Sequence, residues 1–207
     1  RLIHRACEIL TETSGFYNAW IALMDTKEKF CTCAESGLGD KFFEMEQLLI
    51  KGELTQCAHK ALQTDDLVIK ENPKQECMDC PLSVYYENRG AYTIALQYRG
   101  RVYGLLSASI PKRYIKDEQE KDLVRELAGD ISFALYSIES EQKRLLVEAK
   151  RDEYQNILNS ALTAIDSLIM IIDKNYYIIL SNWKDHEWVP EEDRGKNPLC
   201  YNALKKR

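Results

Sequence analysis

The chain has 207 residues, of which 45% are apolar and 29% charged, with only 9 Gly and 5 Pro; this balance fits a folded globular chain and excludes a fibrous or disordered one. A net charge of −5 argues against a nucleic-acid-binding surface, and no apolar run reaches the ~18–20 residues of a membrane helix. The length allows one substantial domain and part of another.

Residues 1–15 carry Leu2, Ile3, Ala6, Ile9 and Leu10 at helical spacing and close on Gly15, which reads as a helix and its C-cap. AWIALMD (19–25) and KFCTCAES (29–36) follow as two strands around the polar turn TKE. Strict alternation along the second strand places Phe30, Thr32 and Ala34 on one face and Cys31 with Cys33 on the other, so the two cysteines are expected to point the same way. Helices are expected over 42–50 and 55–62, then a strand over 66–71 and a brief helix over 83–90 ended by Gly90. AYTIALQY (91–98) and RVYGLLSASI (101–110) flank Arg99-Gly100, the strongest hairpin signal in the chain. Two tight hairpins favour an α+β fold, an antiparallel sheet with helices packed on it, over a parallel sheet.

From Asp117 the pattern turns helical. Leu123, Val124, Leu127, Ala128, Ile131, Leu135 and Ile138 form one stripe, resumed after the charged ESEQKR (139–144) by Leu145, Leu146, Tyr154, Ile157, Leu158, Ala161, Leu162 and Ile165. One or two long helices of coiled-coil type, pairing in a homodimer through 117–166, are the expectation. SLIMIIDKNYYIILSN (167–182) then supplies two strands around Asp173-Lys174-Asn175, the start of a second, partial α/β segment. RLIHRACEIL lacks a secretion signal, so the expected location is the cytoplasm, without membrane contact by this segment. The missing initial Met and the ending LKKR lead us to expect a portion of a longer protein.

The order helix, hairpin, two helices, hairpin, long helix resembles a GAF domain. The residues that carry the resemblance are RACEILTETSGFYNAWIALMD, ESG at 35–37, TQCAHKALQTDDLVI, AYTIALQYRGRVYGLLSAS and DEQEKDLVRELAGDISFAL, within 1–140. Segment 152–207, with IIDKNYYIILSN and NPLCYNAL, resembles the first half of a PAS domain. These resemblances imply a GAF sensor domain over 1–138, a signalling helix over 139–166 and the N-terminal part of a PAS domain over 167–207. They further imply the input region of a signal-transduction protein of sensor histidine kinase type, which senses a small ligand, haem, metal or redox state; the alternative is a ligand-free GAF unit that serves as a dimerisation spacer.

Seven cysteines, at 7, 31, 33, 57, 77, 80 and 200, form an odd count without repeated spacing, which in a reducing compartment favours free thiols, metal ligands or redox centres over structural disulfides. In a GAF-like arrangement Cys57, Cys77 and Cys80 border the ligand pocket, with Tyr85 or Tyr86 as an aromatic contact and Cys31 with Cys33 in reserve. Up to five sulfurs supply enough ligands for zinc or an iron–sulfur cluster. Cys77-x-x-Cys80 equally suits a redox pair, and a helix starting at Pro81 would lower the neighbouring thiol's pKa. A haem attached through Cys-x-x-Cys-His is excluded because position 81 is Pro; single-cysteine attachment or axial ligation stays open, as does a pocket of ordinary buried thiols holding no cofactor. Cys57 and His59 lie about 200° apart around a helix and do not share a centre.

Other chemistry finds little support. KRYIKDEQE keeps Asp117-Glu118 but not the Asn-Lys-Phe context of the cyclic-nucleotide-binding motif, and no Cys-His dipeptide exists for a bilin. His186, in DHEWVPEE, reads as a loop residue rather than a phospho-acceptor. Neither a nucleotide-binding loop nor a hydrolytic triad occurs, so a non-enzymatic chain is expected, the rival being a GAF-like methionine sulfoxide reductase.

Overall fold

The computed structural model of the chain describes residues 2–13, 15–165, 167 and 169–182. His186, Cys200 and NPLCYNAL lie outside the described residues. The elements are α1 (Leu2–Thr13), β1 (Asn18–Met24), β2 (Phe30–Ser36), α2 (Phe43–Ile50), α3 (Gln56–Gln63), β3 (Val68–Lys70), α4 (Pro73–Glu76), β4 (Arg89–Tyr98), β5 (Arg101–Pro111), α5 (Glu118–Thr163), β6 (Met170–Ile172) and β7 (Ile178–Ser181). Contacts divide the chain into two compact units, Arg1–Ser140 and Glu141–Arg207.

In the first unit five strands form one antiparallel sheet in the order β2-β1-β5-β4-β3. Both of its faces are covered. Ile3, Cys7 and Leu10 of α1 and Val124, Ala128 and Ile131 of α5 pack on the face that carries Ile21, Tyr92, Ile94 and Leu106. Met45 and Leu49 of α2 and Ala58 and Ala61 of α3 pack on the other, against Trp20, Ala22, Ala91 and Leu105. Because neighbouring residues of β4 and β5 face two different cores, these strands read as continuous apolar runs rather than alternating ones. The Arg99-Gly100 turn forms as expected, with φ of 50° and 77° at its two residues.

Three sequence expectations change. The helix expected over 83–90 is a single 3-10 turn, Ser83–Tyr85, and Gly90 belongs to β4. A Cβ on Gly90 would stand 2.4 Å from Ile115, so glycine is there for close packing and not to end a helix. No helix begins at Pro81; a short one begins instead at Pro73, which suits the first helical position. The third change is in β2. Its pairing with β1 shifts register between Leu23 and Met24, which face Thr32 and Phe30, so Cys31 is the extra residue of a β-bulge.

The long helical pattern is one unbroken 46-residue helix, about 70 Å long at 1.5 Å per residue. Its first part is clasped by the β4–β5 hairpin tip: Arg99 donates to the Tyr136 hydroxyl at 3.1 Å, Tyr98 packs edge-on against Phe133, and Arg101 pairs with Glu139. In the second unit β6 and β7 form a hairpin. Buried Asn182 donates through Nδ2 to the carbonyls of Leu162, Ile165 and Ser167 and accepts from Ile169 N–H, closing the end of α5. Among the described residues no helix is long and apolar enough to cross a membrane.

Candidate functional site

The site is built at the N-terminus of α3. Thr55 is its N-cap: the hydroxyl oxygen accepts the Ala58 N–H at 3.4 Å, and the same hydroxyl lies 3.2 Å from Cys57 Sγ. The N–H of Gln56, one of the unpaired donors of the first turn, is taken by Asp79 Oδ2 at 2.6 Å. Asp79 is the residue before Cys80. The loop ECMDCP is thereby pinned to the start of α3, and both of its cysteines are brought to Cys57. Within the loop Cys80 N–H donates to Cys77 O at 3.2 Å, and Cys77 N–H to Pro73 O at 2.9 Å.

Cys57, Cys77 and Cys80 line one small, partly open cavity of about 20 Å³, room for a single water-sized molecule. Thr93 and Ser107, cross-strand neighbours on β4 and β5, form its floor, and Trp20 and Tyr86 wall it. Ser107 donates its proton to Tyr92 O at 2.9 Å, so in the 3.1 Å contact between the two hydroxyls Thr93 is the donor. Tyr86 donates to Asn18 Oδ1 at 3.2 Å. Trp20 is 2% exposed, and its Nε1–H has no acceptor among the described residues.

The three sulfurs differ in acidity. The Cys77 thiol, followed by the Thr55 hydroxyl, holds the Cys57 proton affinity well below the ordinary thiol range, against the cost of burial. Cys77 moves the opposite way, because it donates to Cys57 and is itself buried. Burial pushes Cys80 up to about 12 and raises Tyr86 as well. The acidic thiol is therefore Cys57 on α3, not one beside Pro81.

The structure joins some of the expected site residues and separates others. Cys31 is exposed and its Sγ reaches Leu23 O at 3.6 Å, while Cys33 packs beside α2 and is pushed up to about 11 by burial and by Glu46. The bulge at Cys31 breaks the alternation that would have turned both one way, and neither lines the cavity of the other three. Tyr85 is 43% exposed, under Lys41, whereas Tyr86 is buried at the cavity wall. His4 and His59 are exposed. Among the described residues no group of three or more Cys, His, Asp and Glu side chains is placed to hold a metal ion, so the five-sulfur site is not assembled. A haem does not fit a cavity of about 20 Å³. Sequence reading missed Asp79, Thr93, Ser107 and Trp20, which carry no spacing signal; the one local clue was Thr55 directly before a helical run. A separate, open groove of about 780 Å³ lies at the turn end of the sheet, along Asp25–Lys29, Ile50–Leu54 and Gly100–Val102.

No protein-family model matches the sequence, and no curated protein matches it. Solved structures do. One is that of a GAF domain/HD domain protein from Geobacter sulfurreducens, with a TM-score of 0.54 at 13% identity, covering 67% of this chain and 92% of that one. The first unit has the GAF-domain fold. A domain ascribed to a two-component sensor histidine kinase protein from Sinorhizobium meliloti 1021 gives a TM-score of 0.53 at 14% identity, covering 69% and 94%. The GAF domain of a phosphoenolpyruvate-protein phosphotransferase from Coxiella burnetii gives 0.52 at 13%, covering 68% and 84%. At such identities the likeness is one of fold. In the GAF unit here the cysteine cavity lies between α3 and the sheet, on the face away from α1 and α5.

Proposed function

We propose that this chain is a regulatory sensor region of a signal-transduction protein, of sensor histidine kinase type, and that its GAF unit reads thiol redox state. The observation that carries the reading is the meeting of an acidified Cys57 with Cys77 and Cys80 in one small cavity. A thiolate hydrogen-bonded to a neighbouring thiol is the arrangement from which a disulfide forms. The reaction passes two electrons from Cys57 and Cys77 to an oxidant, joins the sulfurs, and releases their remaining proton.

Two connections from this cavity reach α5. Ser107 bonds the Tyr92 carbonyl, and the Tyr92 hydroxyl donates to Ile115 O at 2.9 Å, three residues before the helix. At the other end of α3, Asp66 accepts from Arg125 of α5 at 3.0 Å. Drawing Cys77 onto Cys57 displaces the start of α3 and the floor beneath it, and so biases two arrangements of α5. Residues 1–138 are the sensor, 139–166 a signalling helix that pairs in a homodimer, and 167–207 the start of a PAS domain.

The test is spin-label distance measurement along 120–165 in the reduced and oxidised protein, with disulfide mapping by mass spectrometry and metal analysis of the same sample. Disulfide between Cys57 and Cys77 with shifted helix distances is the expected result. Unchanged distances, together with unaltered output from Cys57→Ser, would make the GAF unit a spacer instead.

A further inference from the structure

The cavity's size and its unused donor together select the oxidant. We infer that the cavity beneath α3 admits hydrogen peroxide, that the Cys57 sulfur attacks it, and that Cys77 is the resolving thiol; this rests on the redox reading above. About 20 Å³ accommodates a molecule of water's cross-section, and hydrogen peroxide is the two-electron oxidant nearest to that size. Organic hydroperoxides and disulfides are several times larger.

The walls match its chemistry. The Trp20 Nε1–H is buried without an acceptor, and a buried donor left unpaired asks for an oxygen. The Thr93 hydroxyl and half-buried Lys70, whose ammonium lies 3.8 Å from Glu76, line the same space. Because the Thr93 hydrogen is held by Ser107, the Trp20 N–H and the Lys70 ammonium are the donors left for the oxygen that acquires negative charge as the O–O bond breaks.

In the first step the Cys57 thiolate attacks one peroxide oxygen, the S–O bond forms, the O–O bond breaks, and hydroxide leaves to take up a proton as water. Cys57 is then a sulfenic acid, its sulfur oxidised by two electrons and the peroxide reduced. Next Cys77 attacks the Cys57 sulfur: the S–S bond forms, the S–O bond breaks, and the departing hydroxide leaves with the Cys77 proton as water.

The experiment follows oxidation of the reduced full chain by hydrogen peroxide, cumene hydroperoxide and diamide, with the mass of Cys77→Ser measured after peroxide. Hydrogen peroxide is expected to form the Cys57–Cys77 disulfide at least tenfold faster than cumene hydroperoxide does. Cys77→Ser is expected to carry one added oxygen on Cys57 by mass spectrometry, and Trp20→Phe to slow peroxide oxidation about tenfold. Equal rates with the two peroxides overturn the inference without any variant being needed. A disulfide formed by diamide but not by peroxide overturns it and leaves the redox reading standing; no disulfide with any oxidant overturns both.

Discussion

Cys57 owes its acidity to its place two residues into α3, where the Cys77 thiol and the Thr55 hydroxyl present hydrogens to its sulfur. The sign of the pH dependence follows. A lowered pKa keeps the reactive thiolate as pH falls, so peroxide oxidation of Cys57 should persist below the pH at which a free thiol loses reactivity. Peroxide treatment followed by mass spectrometry from pH 5 to 9 should find Cys57 modified ahead of Cys7, Cys33 and Cys80, which burial pushes up to about 12, 11 and 12. Thr55→Ala should move the Cys57 midpoint upward; a midpoint at or above that of a free thiol would contradict the site as described. Gly104 is a different kind of single-residue constraint. At φ +155°, with an added Cβ only 2.0 Å from Ala22 O, it lets β5 lie against β1. Gly104→Ala should cost about 3 kcal/mol in urea unfolding, the cost of backbone strain added to a clash.

At the scale of elements, the cavity depends on one carboxylate between two segments. Asp79→Ala frees the exposed Gln56 N–H and the loop together and should cost about 1 kcal/mol, with slower Cys57–Cys77 disulfide formation by thiol assay; an unchanged disulfide rate would show the loop positioned by other contacts. The route to α5 has two parts that separate. Tyr92→Phe removes the bond to Ile115 and should shrink the oxidation-dependent change in spin-label distance along α5, whereas Arg125→Ala breaks a largely exposed pair worth at most ~1 kcal/mol and should shrink it less. The element-level reading from sequence succeeded where a pattern is local: both hairpins, α1, α2, α3 and α5. It failed at β2, because a bulge leaves no mark in seven residues of mixed polarity, and at 83–90, where Gly90 answers to Ile115 rather than to its own neighbours in sequence.

At the scale of the molecule, α5 carries a line of exposed apolar side chains beyond the clasp at Glu139. Leu145, Leu146, Tyr154 and Ile157 are all more than half exposed. We propose that a second copy of the helix pairs over these side chains. Leu146→Glu with Ile157→Glu should therefore yield monomer in sedimentation velocity under conditions where the parent chain is dimeric. A parent chain that sediments as a monomer at all concentrations would remove the paired-helix relay.

Periodicity and turn chemistry by themselves determined the α+β class, the antiparallel hairpins and the long helix, because 3.6-residue and two-residue patterns are properties of neighbouring positions. The resemblance to a GAF domain brought Cys57, Cys77, Cys80 and Tyr85 or Tyr86 forward as candidates. Only the tertiary structure decided which sulfurs meet and which is acidic. That choice rests on Asp79 reaching the first turn of α3, on the Thr55 hydroxyl and the Cys77 thiol meeting the Cys57 sulfur, and on a bulge that turns Cys31 outward, none of which is written in the spacing of the cysteines.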